Sequence, residues 1–284
     1  MSQEQFPESS RDEEQVSGAQ KSSEQDKKPS GFEPLSDIDL VDEVVEETVE
    51  DGQRVKRRGI YLLPNLFTTG ALFSGFYAIV SAMNGTFDVA AIAIFVSMIL
   101  DGLDGRVARM TNTQSAFGAE YDSLADMVSF GVAPALVSFS WLLKDLGKFG
   151  WIAAFIYVAG AALRLARFNV QIGSVDKRWF IGLPSPSAAA IVAGMVWTLH
   201  DYELTHWAYQ VLAGAIVAAA GLLMVSNVRY YSFKDLDLKG RVPFVMLLVL
   251  VLVFAIVSID PATILLVFFL GYGVSGPLRA LLRR

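Results

Sequence analysis

The sequence predicts an all-α membrane protein, a polytopic helix bundle that begins near residue 54 and runs to the C-terminus. Three observations predict it. The 284-residue chain is 53% hydrophobic with a mean hydropathy of +0.44, too apolar for a soluble domain of that length. Beyond residue 58 the apolar residues fall into runs that approach the roughly 20 residues needed to cross a bilayer. The charges lie at the ends of those runs and are shared unequally between alternate loops.

The N-terminal segment is the exception. Residues 1–51 hold 16 acidic and four basic residues, with much Ser and Gln. Such a composition cannot bury enough apolar surface to offset the entropy of ordering, so residues 1–53 are expected to form a disordered acidic cytoplasmic tail. For the stretch LSDIDLVDEVVEETVED a short acidic helix is the alternative. No signal peptide is expected, because the start lacks a basic n-region and an apolar core. The remaining 13 acidic and 19 basic residues make the membrane body basic, which the overall pI of about 5.0 conceals.

Spans are expected near 61–83, 86–107, 118–143, 150–170, 186–200, 207–226, 243–259 and 261–279. The first follows the basic run RVKRR and opens around Pro64. The fifth is short, and the prolines of GLPSPS blur its start. Only Ile259-Asp260-Pro261 separates the last two, which reads as a tight hairpin. With the N-terminus cytoplasmic, one side receives RVKRR, Arg106, Arg109, RLARFNVQIGSVDKRW, RYYSFKDLDLKGR and RALLRR. The other receives NGTFD, KDLGKFG, HDYELTH and IDP, where Lys144 and Lys148 are the basic residues. The positive-inside rule then places the protein in the inner (cytoplasmic) membrane with its basic face in the cytoplasm. Trp141, Trp151, Trp179, Trp197 and Trp207 fall near span ends and suggest an interfacial aromatic belt. The small residues of AGAALRLA and VAAAGLL suggest close helix packing. With no cysteine, thiolate metal sites and cysteine nucleophiles are excluded. The two histidines, His200 and His206, lie on the far side.

The chemistry concentrates in DGLDGRVARMTNTQSAFGAEYDSLADM, residues 101–127. On a helix, Asp101 and Asp104 lie about 60° apart, and Asp122 and Asp126 about 40° apart on the next one. The connection is short, so the two helices are antiparallel neighbours and the carboxylate pairs can face each other across a seam at the cytoplasmic interface. Four carboxylates in that position repel unless cations neutralise them, and all-oxygen ligands suit Mg²⁺ or Mn²⁺, ahead of Ca²⁺ as the catalytic ion. Gly102, Gly105 and Gly118 leave clearance. Arg106 and Arg109 are superfluous to a metal cage but suited to phosphate. Together these features suggest a metal-held diphosphate. A divalent metal-ion transporter is the alternative of a different class. Against it, the carboxylates sit at one face of the membrane and the arginines would repel a cation.

The segment Asp101-x2-Asp104-Gly105-x2-Ala108-Arg109-x8-Gly118-x3-Asp122-x3-Asp126 resembles the signature of the CDP-alcohol phosphatidyltransferases. That resemblance implies a six-helix family core over roughly 60–226, with about two helices beyond it. The expected layout is therefore a tail (1–53), a transmembrane core (54–226) and a cytoplasmic loop with a C-terminal transmembrane hairpin (227–284). The resemblance also implies a homodimer, CDP-diacylglycerol as donor, no nucleic-acid partner and a two-metal site. Asp101, Asp104 and Asp122 would be ligands, with Asp126 a ligand or the general base. Gly105, Arg109 and Gly118 would lie along the CDP moiety. Asn65 and Thr68, in PNLFTTG, would line the nucleotide.

The acceptor alcohol has to be read elsewhere. Arg164 and Arg167 share a face of the fourth span and either bind an acceptor carboxylate or phosphate or snorkel to the interface. DSLADMVSFGVAP, RLARFN and GLPSP together resemble the serine-using, membrane-embedded phosphatidylserine synthases, which implies L-serine. Glycerol 3-phosphate and inositol phosphate remain the alternatives within the same chemistry.

Overall fold

The structure is a computed structural model that describes residues 45–50, 53–58, 62–111, 115–170, 179–231 and 244–282. Eight helices form the body over those residues. They are α1 (Leu62–Met83), α2 (Phe87–Met110), α3 (Ala116–Trp141), α4 (Lys148–Val170), α5 (Ser185–Asp201), α6 (Trp207–Val225), α7 (Phe244–Val257) and α8 (Pro261–Leu282). Each falls on an apolar run of the sequence. By length and composition α1, α3, α4, α6 and α8 can cross a membrane unaided. The protein is an integral membrane helix bundle.

Short polar connections set the order. Asn84, Gly85 and Thr86 join α1 to α2, with Gly85 at φ +81°, a left-handed turn that glycine adopts without strain. The two helices then run antiparallel over small residues: Ala71, Ala78 and Ala82 from α1, Ala90 and Ala91 from α2, all buried. Serines bridge the seam. Ser74 Oγ donates to Ala93 O at 2.8 Å, and Ser97 Oγ donates to Ala71 O at 2.8 Å. Such polar bridges substitute for a hydrophobic driving force, which lipid does not supply. At the far end Asp260 Oδ1 accepts from Thr263 N and caps α8, which holds the Asp260 carboxyl below its usual range.

α5 is the axis of the bundle. Every residue from Ala188 to Val196 is buried, so this helix has no lipid-facing stripe. α2, α3, α6 and α8 surround it. α4 crosses α6 at Gly160 and Gly221, where the backbones come so close that a Cβ on Gly221 would stand 2.7 Å from Tyr157 Cα. The small residues of AGAALRLA and VAAAGLL pack closely, as expected, and they do so against each other.

Two features depart from the sequence reading. Val45–Glu50 (β1) and Gln53–Arg58 (β2) pair as an antiparallel hairpin, so the end of the acidic segment forms a strand where a disordered tail was expected and a short helix was the alternative. Its register sets Glu46 opposite Arg57 and Glu47 opposite Lys56. The rest of the tail, residues 1–44, lies outside the described residues. The second departure is a ribbon of Trp179–Ile181 (β3) against Arg229–Tyr231 (β4), which ties the entrance of α5 to the exit of α6. Gly182, at φ +81°, turns out of β3 against the Met224 carbonyl, where no side chain fits.

The tryptophans divide. Trp151 and Trp207 are 60% and 66% exposed at helix starts, as a belt requires. Trp141 is only 7% exposed, and Trp197 packs on Phe95 with ring centroids 6.3 Å apart, so both belong to the core. The Trp179 side chain lies outside the described residues, as do the basic loops 171–178 and 232–243.

Gly160→Leu should force α4 off α6 and cost about 1–3 kcal/mol or more, read as a lower unfolding temperature in detergent. Gly271→Leu, where a Cβ meets open space, should leave that temperature unchanged or raise it.

Candidate active site

The end of α2 and the start of α3 carry the aspartates. Ser115 caps α3, its Oγ accepting from Gly118 N at 2.9 Å, which fixes where the helix begins and so where Asp122 and Asp126 fall. α1 packs against both helices. Thr69 Oγ1 and Tyr121 Oη are 2.9 Å apart across the α1–α3 seam, and Ser123 and Asn169 exchange hydrogen bonds at 3.1–3.2 Å across α3–α4. The two pairs do face each other. Asp101 and Asp126 lie within hydrogen-bonding reach, as do Asp104 and Asp122.

Three of the four converge. One carboxylate oxygen each from Asp101, Asp122 and Asp126 lies within 4.8 Å of the others. Asp104 stands outside this triad. It is only 5% exposed, and its Oδ2 accepts from Thr68 Oγ1 at 2.7 Å. Thr68 is thus turned onto a carboxylate, where the sequence reading had it donating to a nucleotide.

The triad suits a divalent cation. Its donors are all oxygen, which hard ions such as Mg²⁺ and Mn²⁺ prefer. Asp122 Oδ1 is buried with no hydrogen-bond partner in the protein, a costly condition that a cation would relieve. A second orphan lies on α1. Asn65 Nδ2 is also buried and unpartnered, and Asn65 Oδ1 stands 3.5 Å from where a Cβ on Gly118 would be. Gly105 faces open space. Arg109 is exposed and within electrostatic reach of Asp104. Gly118 is not a clearance like Gly105, although the sequence suggested it: a Cβ there would stand 3.0 Å from Ser115 Oγ, so its lack of a side chain serves the cap of α3.

The arginines of α4 separate in role. Arg164 is within electrostatic reach of Asp126, and its Nη1 donates to Ile181 O in β3 at 3.4 Å. Arg167 turns to the loop after α6, donating to Asn227 Oδ1 at 2.9 Å and to Val225 O at 3.4 Å. Only Arg164 of the pair points toward the aspartates.

Known proteins share this arrangement of sequence. The profile of the CDP-alcohol phosphatidyltransferases matches residues 61–226, more than half of the chain and the whole of α1 through α6. The chain belongs to that family. It is 39% identical over 215 residues to the CDP-diacylglycerol–serine O-phosphatidyltransferase of Helicobacter pylori, covering 76% of this chain and 90% of that protein. Proteins of the same name from Mycobacterium leprae and Saccharomyces cerevisiae are 30% and 42% identical, over 75% and 44% of this chain and 72% and 50% of theirs. The transporter alternative is set aside by this membership. α7 and α8 lie beyond the matched family segment.

Several supporting residues escaped the sequence reading: Ser115, Tyr121, Ser123 and Asn169. Asn169 ends the conspicuous RLARFN, and Ser115 is a residue type favoured at the N-cap, so both left a trace. The partners of Tyr121 and Ser123 are set by tertiary contact alone.

Asp101→Asn or Asp122→Asn should weaken Mn²⁺ binding, followed by EPR on the substrate-free protein, by more than the roughly 10–100-fold that loss of a supporting hydrogen-bond partner costs. Unchanged binding in a folded variant would remove the triad from the metal site.

Proposed function

We propose that the protein transfers the phosphatidyl group of CDP-diacylglycerol to L-serine, forming phosphatidylserine and CMP, at a two-metal carboxylate site on the cytoplasmic membrane face. What carries this reading is the intact aspartate signature, folded into a carboxylate triad, in a chain that aligns with nine tenths of the Helicobacter pylori serine enzyme. The orientation rests on the basic residues gathered at the aspartate end of the helices. Homodimerisation and a dispensable tail over residues 1–53 belong to the reading on family resemblance and composition.

Asp101, Asp122 and Asp126, together with Asp104, would hold the divalent cations. When bound, these supply neutralisation of the diphosphate and of the charge that develops on departing CMP. Asn65 Nδ2 is free to donate to the nucleotide, Gly105 leaves open space for it, Gly118 lies next to Asn65 along it, and Arg109 faces the diphosphate. The serine hydroxyl oxygen attacks the phosphorus that bears diacylglycerol. The bond from that phosphorus to the bridging diphosphate oxygen breaks, and CMP leaves with that oxygen. Asp126 is placed to take the hydroxyl proton. Arg164 beside it receives the serine carboxylate, while Arg167 holds the loop that follows α6.

Purified protein with CDP-diacylglycerol should release CMP with serine, and not with glycerol 3-phosphate or inositol phosphate. Chelation should stop release and added Mn²⁺ or Mg²⁺ restore it. CMP release with another alcohol but not serine would overturn the acceptor. Arg164→Ala should raise KM for serine by roughly 10–100-fold, the worth of a hydrogen bond to a charged group, with KM for the donor lipid retained. Arg167→Ala should act mainly on stability.

A further inference from the structure

α3 is not a uniform helix. Ala116–Asp126 is α-helical, Met127–Val132 is a π turn, and Ala133–Trp141 is α-helical again. The wider turn is closed by Ala133 N donating to Val128 O, five residues back. It begins immediately after Asp126. One added residue in a helix rotates everything before it by about 100° relative to everything after it. The half after the turn is locked in the core, with Ala133, Pro134, Ala135, Val137 and Ser138 buried. The half before it carries Asp122 and Asp126. The turn thus decides which way the carboxylates face.

The cause is legible in Pro134. In an α-helix the Phe130 carbonyl would accept from residue 134, but proline has no N–H, and its ring crowds that carbonyl. The Phe130 carbonyl is taken up from another helix. Tyr157 of α4, fully buried, donates its Oη–H to Phe130 O at 2.9 Å. The other side of the turn is held by α1. Ser129 Oγ donates to Ala71 O at 3.1 Å, and a Cβ on Gly75 would stand 2.6 Å from Ser129 Oγ, so α1 leaves room for the turn. Pro134 opens the helix, and Tyr157 and Ser129 hold it open.

We propose that Pro134 and Tyr157 are positioning residues for the reaction: through the π turn they aim Asp122 and Asp126 at Asp101. This deepens the carboxylate-metal reading above and rests on it. Without the turn, the first half of α3 would rotate and carry the two aspartates off the α2 seam. Tyr157 itself stays out of the chemistry, since its hydroxyl is engaged by a main-chain carbonyl.

The experiment uses the full-length protein in detergent, without substrate, with Mn²⁺ binding read by EPR and unfolding temperature read in parallel. Tyr230→Phe is the matched control, because Tyr230 is also buried and donates to a helical carbonyl, Gly273 O at 2.9 Å. Tyr157→Phe and Tyr230→Phe should lower the unfolding temperature alike, while only Tyr157→Phe weakens Mn²⁺ binding, by about tenfold or more. Pro134→Ala restores a helical N–H, so it should keep or raise the unfolding temperature and still weaken Mn²⁺ binding. That combination cannot come from simple loss of stability. Pro134→Ala carries the test alone if Tyr157→Phe does not fold. Wild-type affinity in a folded Pro134→Ala, Tyr157→Phe double variant overturns the proposal. Absence of Mn²⁺ binding by the wild type would instead overturn the carboxylate-site reading, and this inference with it.

Discussion

Repulsion between carboxylates is the constraint on which this structure turns. Three carboxylate oxygens within 4.8 Å of one another, at the end of an apolar bundle, form an arrangement that unlike charge must stabilise. Left alone, two helices bearing such residues would separate. They are held by contacts away from the charges: alanine packing and serine bridges between α1 and α2, the capped start of α3, and the hydrogen-bonded links from Thr69 to Tyr121 and from Ser123 to Asn169. The bundle is thus a clamp that keeps like charges together.

The clamp needs a rigid back. The Gly160–Gly221 crossing of α4 and α6 and the fully buried α5 supply it, because close-packed interiors resist small displacements. The β3–β4 ribbon extends that rigidity to the end of α4. It receives Arg164 through the Ile181 carbonyl and Tyr272 of α8 through the Tyr231 carbonyl. In this way a helix outside the matched family segment braces residues inside it.

Much of this was legible in the sequence. Apolar runs marked all eight helices, since a bilayer imposes length and composition on any segment that enters it. The aspartate spacing located the triad, because residues three and four apart share a helix face. What stayed hidden depended on partners distant in sequence. Thr68 has a hydroxyl suited to either a nucleotide or a carboxylate, and only the packing of α1 on α2 selects Asp104. Arg164 and Arg167 share a face, yet the ribbon and Asn227 draw them to different tasks. Trp141 and Trp197 sit near span ends like true interfacial residues, but neighbouring helices cover them. Pro134 was visible as a residue, while the turn it produces required Tyr157, 23 positions later.

α5 has a further consequence, for how the protein enters the membrane. It is 17 residues long, rich in alanine and preceded by prolines, and in the finished bundle its middle touches protein on every side. α2 is long enough but carries Asp101, Asp104, Arg106 and Arg109. Neither is among the helices that are long and apolar enough to partition alone. The axis of the bundle and the helix that bears the first aspartate pair are therefore poor inserters on their own and depend on the helices packed around them. Biogenesis and chemistry impose opposite demands on the same two segments, and the protein meets them by surrounding each with stronger neighbours.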